Sequence, residues 1–248
     1  MKKTHITLLL VGVMCSNLYA QPKSIIYGNL TYFDSVTIAD GSKMLPPPPE
    51  KNTVAFALDE YYYQQGKKER TTSRGEEAKL DAVIKGDAFI ARFDEAFGFP
   101  ITKEETPELY RLLMTMKETA ATLATEMAKN GFKRQRPFLY YAEHTLTAEE
   151  DSDLAKSYSY PSGHATLFHA TSLVLQEINP DRQVEIMNCG YEKARSRIIV
   201  GAHWYSDVEA GRLIAGTIVA RLHTHKDFIK QLKRAKREFR KKKDKFKK

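Results

Sequence analysis

From residue 53 onward the apolar positions recur at helical spacing. Thr53 is placed to cap a helix that continues through Tyr63. Between Glu76 and Phe97, the residues Val83, Ile84, Phe89, Ile90 and Phe93 mark a second stripe. Thr102 and Glu105 have the spacing of a capping box ahead of Leu109, Leu112, Leu113, Met116, Leu123 and Met127, which predicts one long helix ending at Gly131. A polar stretch from Pro137 to Tyr160 reads as a loop, and helical patterning resumes at Ser162. Asn179-Pro180 closes that helix and opens the next, because proline is tolerated only in a first turn. A further helix is expected from near His203 to Leu222. Alternating strand patterns are weak throughout, so the predicted fold is all-α, a single compact helical domain.

The segment before residue 53 reads differently. Lys2 and Lys3 precede an apolar run from Ile6 to Met14 and a small residue, Ala20, which together predict a signal peptide over residues 1–20 and an exported, periplasmic or secreted chain. That run is about half of the ~20 residues a spanning helix needs, and the next apolar run, Leu213 to Ala220, is shorter still, so no membrane span is expected. Residues 21–52 read as an extended segment whose Pro46-Pro47-Pro48-Pro49 run forms a stiff polyproline spacer. Residues 53–225 then form the helical domain, and 226–248 a basic tail. With the leader removed, Cys189 is the only cysteine, which leaves neither an internal disulfide nor a thiolate metal cluster.

The formal charge of +8 is unevenly spread. Residues 226–248 carry 13 Lys/Arg against 3 Asp/Glu. Setting aside that +10 and the two leader lysines leaves residues 21–225 at −4, which argues against a nucleic-acid-binding body. Phe228, Ile229, Leu232, Phe239 and Phe246 punctuate the basic residues, so the tail reads either as a solvated, fraying end or as a basic amphipathic helix fit for anionic lipid.

Three short segments hold residues suited to phosphoryl chemistry: Lys129-x6-Arg136-Pro137, Pro161-Ser162-Gly163-His164, and Ser196-Arg197-x5-His203-x3-Asp207. Each alone is also what a solvated basic face, a helix cap or a surface i, i+4 pair would show. Together they supply what a phosphate ester requires. Lys129, Arg136 and Arg197 are the cations, and first-turn amides at Ser162, Gly163 and His164 form an anion cradle. His203 is the candidate nucleophile, with Asp207 holding its Nδ1 proton so that Nε2 is free to attack, and His164 is the candidate proton donor. No further ligand cluster accompanies His203 and Asp207, and no metal or other cofactor is expected.

In order and spacing these segments resemble the signature of the type 2 phosphatidic acid phosphatase superfamily, which also includes vanadium-dependent haloperoxidases. Leu45-Pro46-Pro47-Pro48-Pro49, Arg136-Pro137-Phe138, the run from Leu173 to Pro180 and Gly190-Tyr191-Glu192 extend the likeness to class A bacterial non-specific acid phosphatases. The resemblance implies an all-helical fold, phosphate binding by Lys129, Arg136, Ser162, Gly163, His164 and Arg197, and catalysis by His203, His164 and Asp207. It also implies a metal-independent periplasmic homo-oligomer inhibited by vanadate. Small phosphomonoesters such as nucleotides, sugar phosphates and aryl phosphates are the implied substrates, with phosphotransfer to alcohols as a companion activity. Two positions depart from the family pattern: Ala165 replaces the usual threonine and Tyr158 the usual glycine. The competing readings are a vanadate-dependent haloperoxidase, a non-catalytic phosphate-binding envelope protein and a metal-dependent hydrolase. His144, His169, His223 and His225 fall outside the motifs and read as structural or exposed.

Overall fold

The computed structural model describes residues 31–33, 38 and 40–243. The signal-peptide reading of residues 1–20 and, within the extended segment, residues 21–30, 34–37 and 39 lie outside the described residues. Every regular element among the described residues is helical. After a single turn, α1 (Gly41–Met44), the helix α2 (Val54–Glu69) starts where Thr53 accepts the amide of Phe56, and α3 (Ser73–Ala82) follows.

The stripe expected to run unbroken from Glu76 to Phe97 does not. Ala82 ends α3, Gly86 takes a left-handed φ of 58°, and the apolar residues resume on two short turns, α4 (Ala88–Ala91) and α5 (Asp94–Phe97). The break turns Phe89, Ile90, Phe93 and Phe97 into the core while Val83 stays exposed.

The long helix also differs from expectation. Thr102 accepts the amide of Glu105, but within a turn, and α6 (Pro107–Glu118) begins five residues after Thr102. Glu238, from the far end of the chain, caps it by accepting the amides of Glu108 and Leu109. A π-helical segment, Thr119–Leu123, joins α6 to α7 (Ala124–Phe132), and the exit is at Lys133, whose φ is 51°, rather than at Gly131. The wide turn rotates α7 relative to α6, so the two share no single apolar stripe.

Short turns α8 (Pro137–Tyr140) and α9 (Asp151–Leu154) interrupt the polar loop before α10 (Gly163–Ile178). α10 is apolar on nearly all sides, the pattern of a central helix, and packs against α11 (Gln183–Val200) and α12 (Tyr205–Leu222). Two glycines permit close approach at its N-terminus. A Cβ on Gly163 would stand 2.4 Å from the carbonyl oxygen of Ala121 in the π-helical segment, and one on Gly211 would stand 2.7 Å from that of Ser162. Gly163 therefore answers first to helix packing, a reason the local motif did not reveal. The Pro46–Pro49 run has no regular structure but is tied down, because the Tyr160 hydroxyl donates to the Pro46 carbonyl at 2.8 Å.

The chain end is the largest departure. Lys226–Lys243 forms α13, an amphipathic helix that buries Phe228, Gln231, Leu232, Ala235 and Phe239 against α6 and the core. Its i, i+3, i+4, i+7 apolar face is consumed by the fold, while Lys236, Lys242 and Lys243 pair with Glu177, Glu105 and Asp181. The solvated-tail reading therefore fails for residues 226–243. Phe239→Ala is expected to cost about 3 kcal/mol of stability, read from the urea midpoint, whereas truncation of a solvated tail residue would cost nothing measurable.

Candidate active site

The motif residues meet where several helix ends converge. Lys129 lies in the last turn of α7, Arg136 just before α8, and Arg197 in the last turn of α11. Ser162, Gly163 and His164 open α10, and Asp207 lies in the first turn of α12. Two helix N-termini and three cations thus face one region, which makes it strongly electropositive.

His203 stands one residue ahead of Trp204, the N-cap of α12, and so lies just outside the helix expected to start near it. Asp207 still reaches it. Its Oδ2 accepts the Trp204 amide at 2.8 Å and the Ser159 hydroxyl, and lies 3.4 Å from His203 Nδ1. Ser159 Oγ is 3.5 Å from the same nitrogen. The other ring nitrogen, Nε2, is 3.1 Å from Arg136 Nη1. A guanidinium can only donate, so Nε2 must be the acceptor and the single proton of a neutral ring sits on Nδ1, facing the carboxylate. The lone pair at Nε2 therefore points into the cations.

The three cations are held differently. Lys129 donates to the Tyr158 carbonyl at 3.0 Å. Arg136 donates to the Ser157 and Ala202 carbonyls and to Ser157 Oγ. Arg197 is fully buried, yet among the described residues no acceptor reaches Nε, Nη1 or Nη2. An ionised side chain in that condition is costly to fold and signals a ligand of opposite charge. Burial, reinforced by Arg136 and Arg197, lowers the Lys129 ammonium to about 7. Burial also lowers the guanidinium of Arg136, with Arg197 adding to the effect, and that of Arg197, each to about 10.

Ser162 caps α10 by accepting the Ala165 amide at 3.3 Å, which leaves its hydroxyl proton free to donate. The first-turn amides of Gly163 and His164 have no acceptor within the helix. His164 Nε2 lies 2.9 Å from the Ala82 carbonyl, so that nitrogen carries a proton and Nδ1 is the one left for chemistry. Burial, followed by the Arg197 charge, drives the His164 ring well below the ordinary imidazole range. His203 is driven down by burial and then by Arg136, Lys129 and Arg197. Both rings are neutral in this field, and a nearby dianion would raise both.

Residues 111–229 match the PAP2 superfamily, a span that includes all three motifs. The chain is 46% identical over 170 residues to a non-specific acid phosphatase of Providencia stuartii, an alignment covering 68% of each chain. The chain belongs to the PAP2 superfamily. A non-specific acid phosphatase of Salmonella typhi is 36% identical over 165 residues, covering 66% of each chain. An acid phosphatase of Zymomonas mobilis is 40% identical over 114 residues, which is 46% of this chain and 43% of that one.

Within this PAP2 chain, sequence reasoning missed the supports of the site. Arg134, one of the unassigned positions inside the Lys129-x6-Arg136 segment, is buried between Asp59 and Asp207. Asp81, also buried, accepts the Ser196 hydroxyl at 2.6 Å beside Arg197, and no local spacing links residues 115 positions apart. Of the two departures, Ala165 is fully buried and would meet a Cβ on Gly211, while Tyr158 serves the site through its carbonyl and leaves its ring partly exposed. Among the other histidines, His144 and His223 pair with Asp151 and Glu177 near the surface, and His225 packs against Tyr32 and Phe33. Among the described residues no three His, Cys, Asp or Glu side chains are grouped to hold a metal ion, and no helix is long and apolar enough to cross a membrane.

Proposed function

We propose that this chain is an exported acid phosphatase that hydrolyses small phosphomonoesters through a phosphohistidine on His203, with no metal required. The buried guanidinium of Arg197, which has no acceptor among the described residues, carries this reading, because beside Lys129, Arg136 and the α10 amides it fits the equatorial oxygens of a phosphoryl group. The names of the Providencia and Salmonella relatives point to the same reaction.

In the first step His203 Nε2 gives its lone pair to phosphorus as the bond from phosphorus to the ester oxygen breaks. The bound dianion first draws a solvent proton onto His164 Nδ1, and the departing oxygen takes that proton, so an alcohol leaves. Arg136 moves its donor from Nε2 to a phosphoryl oxygen, and Asp207 stabilises the positive imidazole through Nδ1–H. In the second step His164 Nδ1 removes a proton from water while the water oxygen attacks phosphorus. The N–P bond then breaks, its electron pair returns to Nε2, and inorganic phosphate is released. An alcohol in place of water gives phosphotransfer by the same path. Vanadate, which adopts the geometry of the pentacoordinate phosphorus, inhibits in this scheme.

The test is turnover of an aryl phosphomonoester in excess chelator, with alkaline quenching to preserve the N–P bond. Labelled phosphate on the protein, released by mild acid, is the expected result. Full turnover with no label ever on the chain rejects the covalent path, and loss of turnover in chelator rejects metal independence.

Lys129 yields a second expectation. Because its ammonium titrates near 7, the Lys129 amine must take up a proton when the dianion binds above that pH. Calorimetry of inorganic phosphate binding near pH 8, in two buffers of different ionisation enthalpy, is expected to show net proton uptake that Lys129→Met reduces. Uptake of the same size in that variant would place the titrating group elsewhere.

A further inference from the structure

Beneath the imidazole of His203 lies a buried charge network that spans three parts of the chain. Arg134, in the link after α7, sends Nη1 to Asp207 Oδ1 at 2.5 Å and to Ser206 Oγ at 2.7 Å. Its Nη2 reaches Asp59 Oδ2 on α2 at 2.6 Å. Asp59 in turn accepts the Ser206 amide at 2.7 Å and the Ser206 hydroxyl at 2.7 Å. Asp59 and Asp207 are fully buried and Arg134 nearly so. The arrangement ties α2 to the first turn of α12.

We infer that Arg134 is a positioning residue for the reaction: braced by Asp59, it occupies one oxygen of Asp207 and leaves the other to hold His203. The inference rests on His203 being the nucleophile. A carboxylate free to rotate could turn both oxygens toward the ring or toward solvent, whereas one gripped at Oδ1 offers only Oδ2 to the Trp204 amide, Ser159 and Nδ1. Removing one partner of such a buried pair also leaves a charge uncompensated, so the network acts as a unit.

The charges give the network a measurable signature. Asp59, Arg134 and Asp207 together carry −1 below the ring, and Lys129, Arg136 and Arg197 carry +3 around its other nitrogen. His164 on α10 is a further titratable neighbour, and Tyr160 faces Asp207 from the loop before it. Neutralising Arg134 changes the lower charge to −2 and favours the imidazolium, which cannot attack. Neutralising Asp59 changes it to zero and favours the neutral ring. The two substitutions remove partners of one salt bridge yet must move the His203 titration in opposite directions, an outcome that mere loosening of structure does not produce.

The experiment compares Arg134→Gln, Arg134→Lys and Asp59→Asn with the parent by imidazole NMR titration of His203 in saturating inorganic phosphate, and by the acid limb of kcat. Arg134→Gln is expected to raise the midpoint by about one pH unit. Asp59→Asn is expected to lower it by roughly half a unit, since its charge lies one residue further away. Arg134→Lys restores the parent midpoint while kcat remains reduced, because a point charge cannot bridge two carboxylates as a fork does. Shifts of the same sign in Arg134→Gln and Asp59→Asn, or none in either, overturn the inference. If Arg134→Gln does not fold, an unchanged midpoint in Asp59→Asn overturns it alone. Failure of phosphoenzyme trapping would instead count against the nucleophile, with the NMR midpoints still readable.

Discussion

Replacing Arg197 by methionine is expected to make the protein more stable and nearly inactive. The guanidinium is fully buried and has no protein acceptor among the described residues, so the folded chain bears its desolvation without return until an anion arrives. Its place in the last turn of α11 gives back only about 0.3–1 kcal/mol through the helix dipole. Methionine fills the space with an apolar, flexible chain and is expected to gain about 2 kcal/mol, a rise of roughly 4–8 °C in melting temperature for a chain of this size. Turnover should fall by roughly 100- to 1000-fold with the loss of one preorganised donor to the phosphoryl oxygens. Scanning calorimetry with and without inorganic phosphate checks both halves. Phosphate should raise the melting temperature of the parent and leave the variant unmoved. A variant that melts lower than the parent would show that Arg197 has a structural partner and would remove the main support for the anion site.

His203→Ala separates binding from chemistry. The lost ring is neutral in the cation field, so Lys129, Arg136 and Arg197 all remain, and Arg136 gains a donor that Nε2 had occupied. Affinity for inorganic phosphate should therefore persist or tighten, while kcat falls by about 10³-fold or more because the proposed covalent path has no nucleophile left. Equilibrium dialysis and single-turnover assays on one preparation give both values. Parallel loss of both would mean that the ring shapes the pocket instead of reacting. Residual turnover at a tenth of the parent rate would show that water attacks the ester directly.

How much of this was legible beforehand follows from the range over which each signal acts. The caps at Thr53 and Ser162 and the Asn179-Pro180 boundary depend on neighbours within four residues, and all three appear as read. The three motifs fix which side chains converge because each sits at a helix end, where backbone geometry alone aims it. What escaped depends on distant contacts. The true cap of α6 is Glu238, some 130 positions away, and it also explains why the basic C-terminal segment docks instead of fraying. The π-helical turn at Thr119–Leu123 has no local signature in its Thr-Ala-Ala-Thr-Leu sequence, although Gly163 across the interface accommodates it. Arg134 carries the same letter whether it meets water or two carboxylates. Only the fold, by bringing α2 beneath α12, distinguishes the two.

The loop before α10 grips the site with its main chain. The Ser157 and Tyr158 carbonyls hold Arg136 and Lys129, while the flanking side chains of Lys156 and Tyr158 face outward. A peptide carbonyl survives nearly any replacement of its residue, so positions 156 and 158 can be rewritten with little disturbance to the cations behind them, whereas Ser157 also holds Arg136 through its Oγ. On the proposed phosphatase reading, an ester's alcohol portion that reaches this rim meets exposed side chains that hold no cation. Saturation mutagenesis at Tyr158 is expected to change the relative rates among esters while the grip on Lys129 persists.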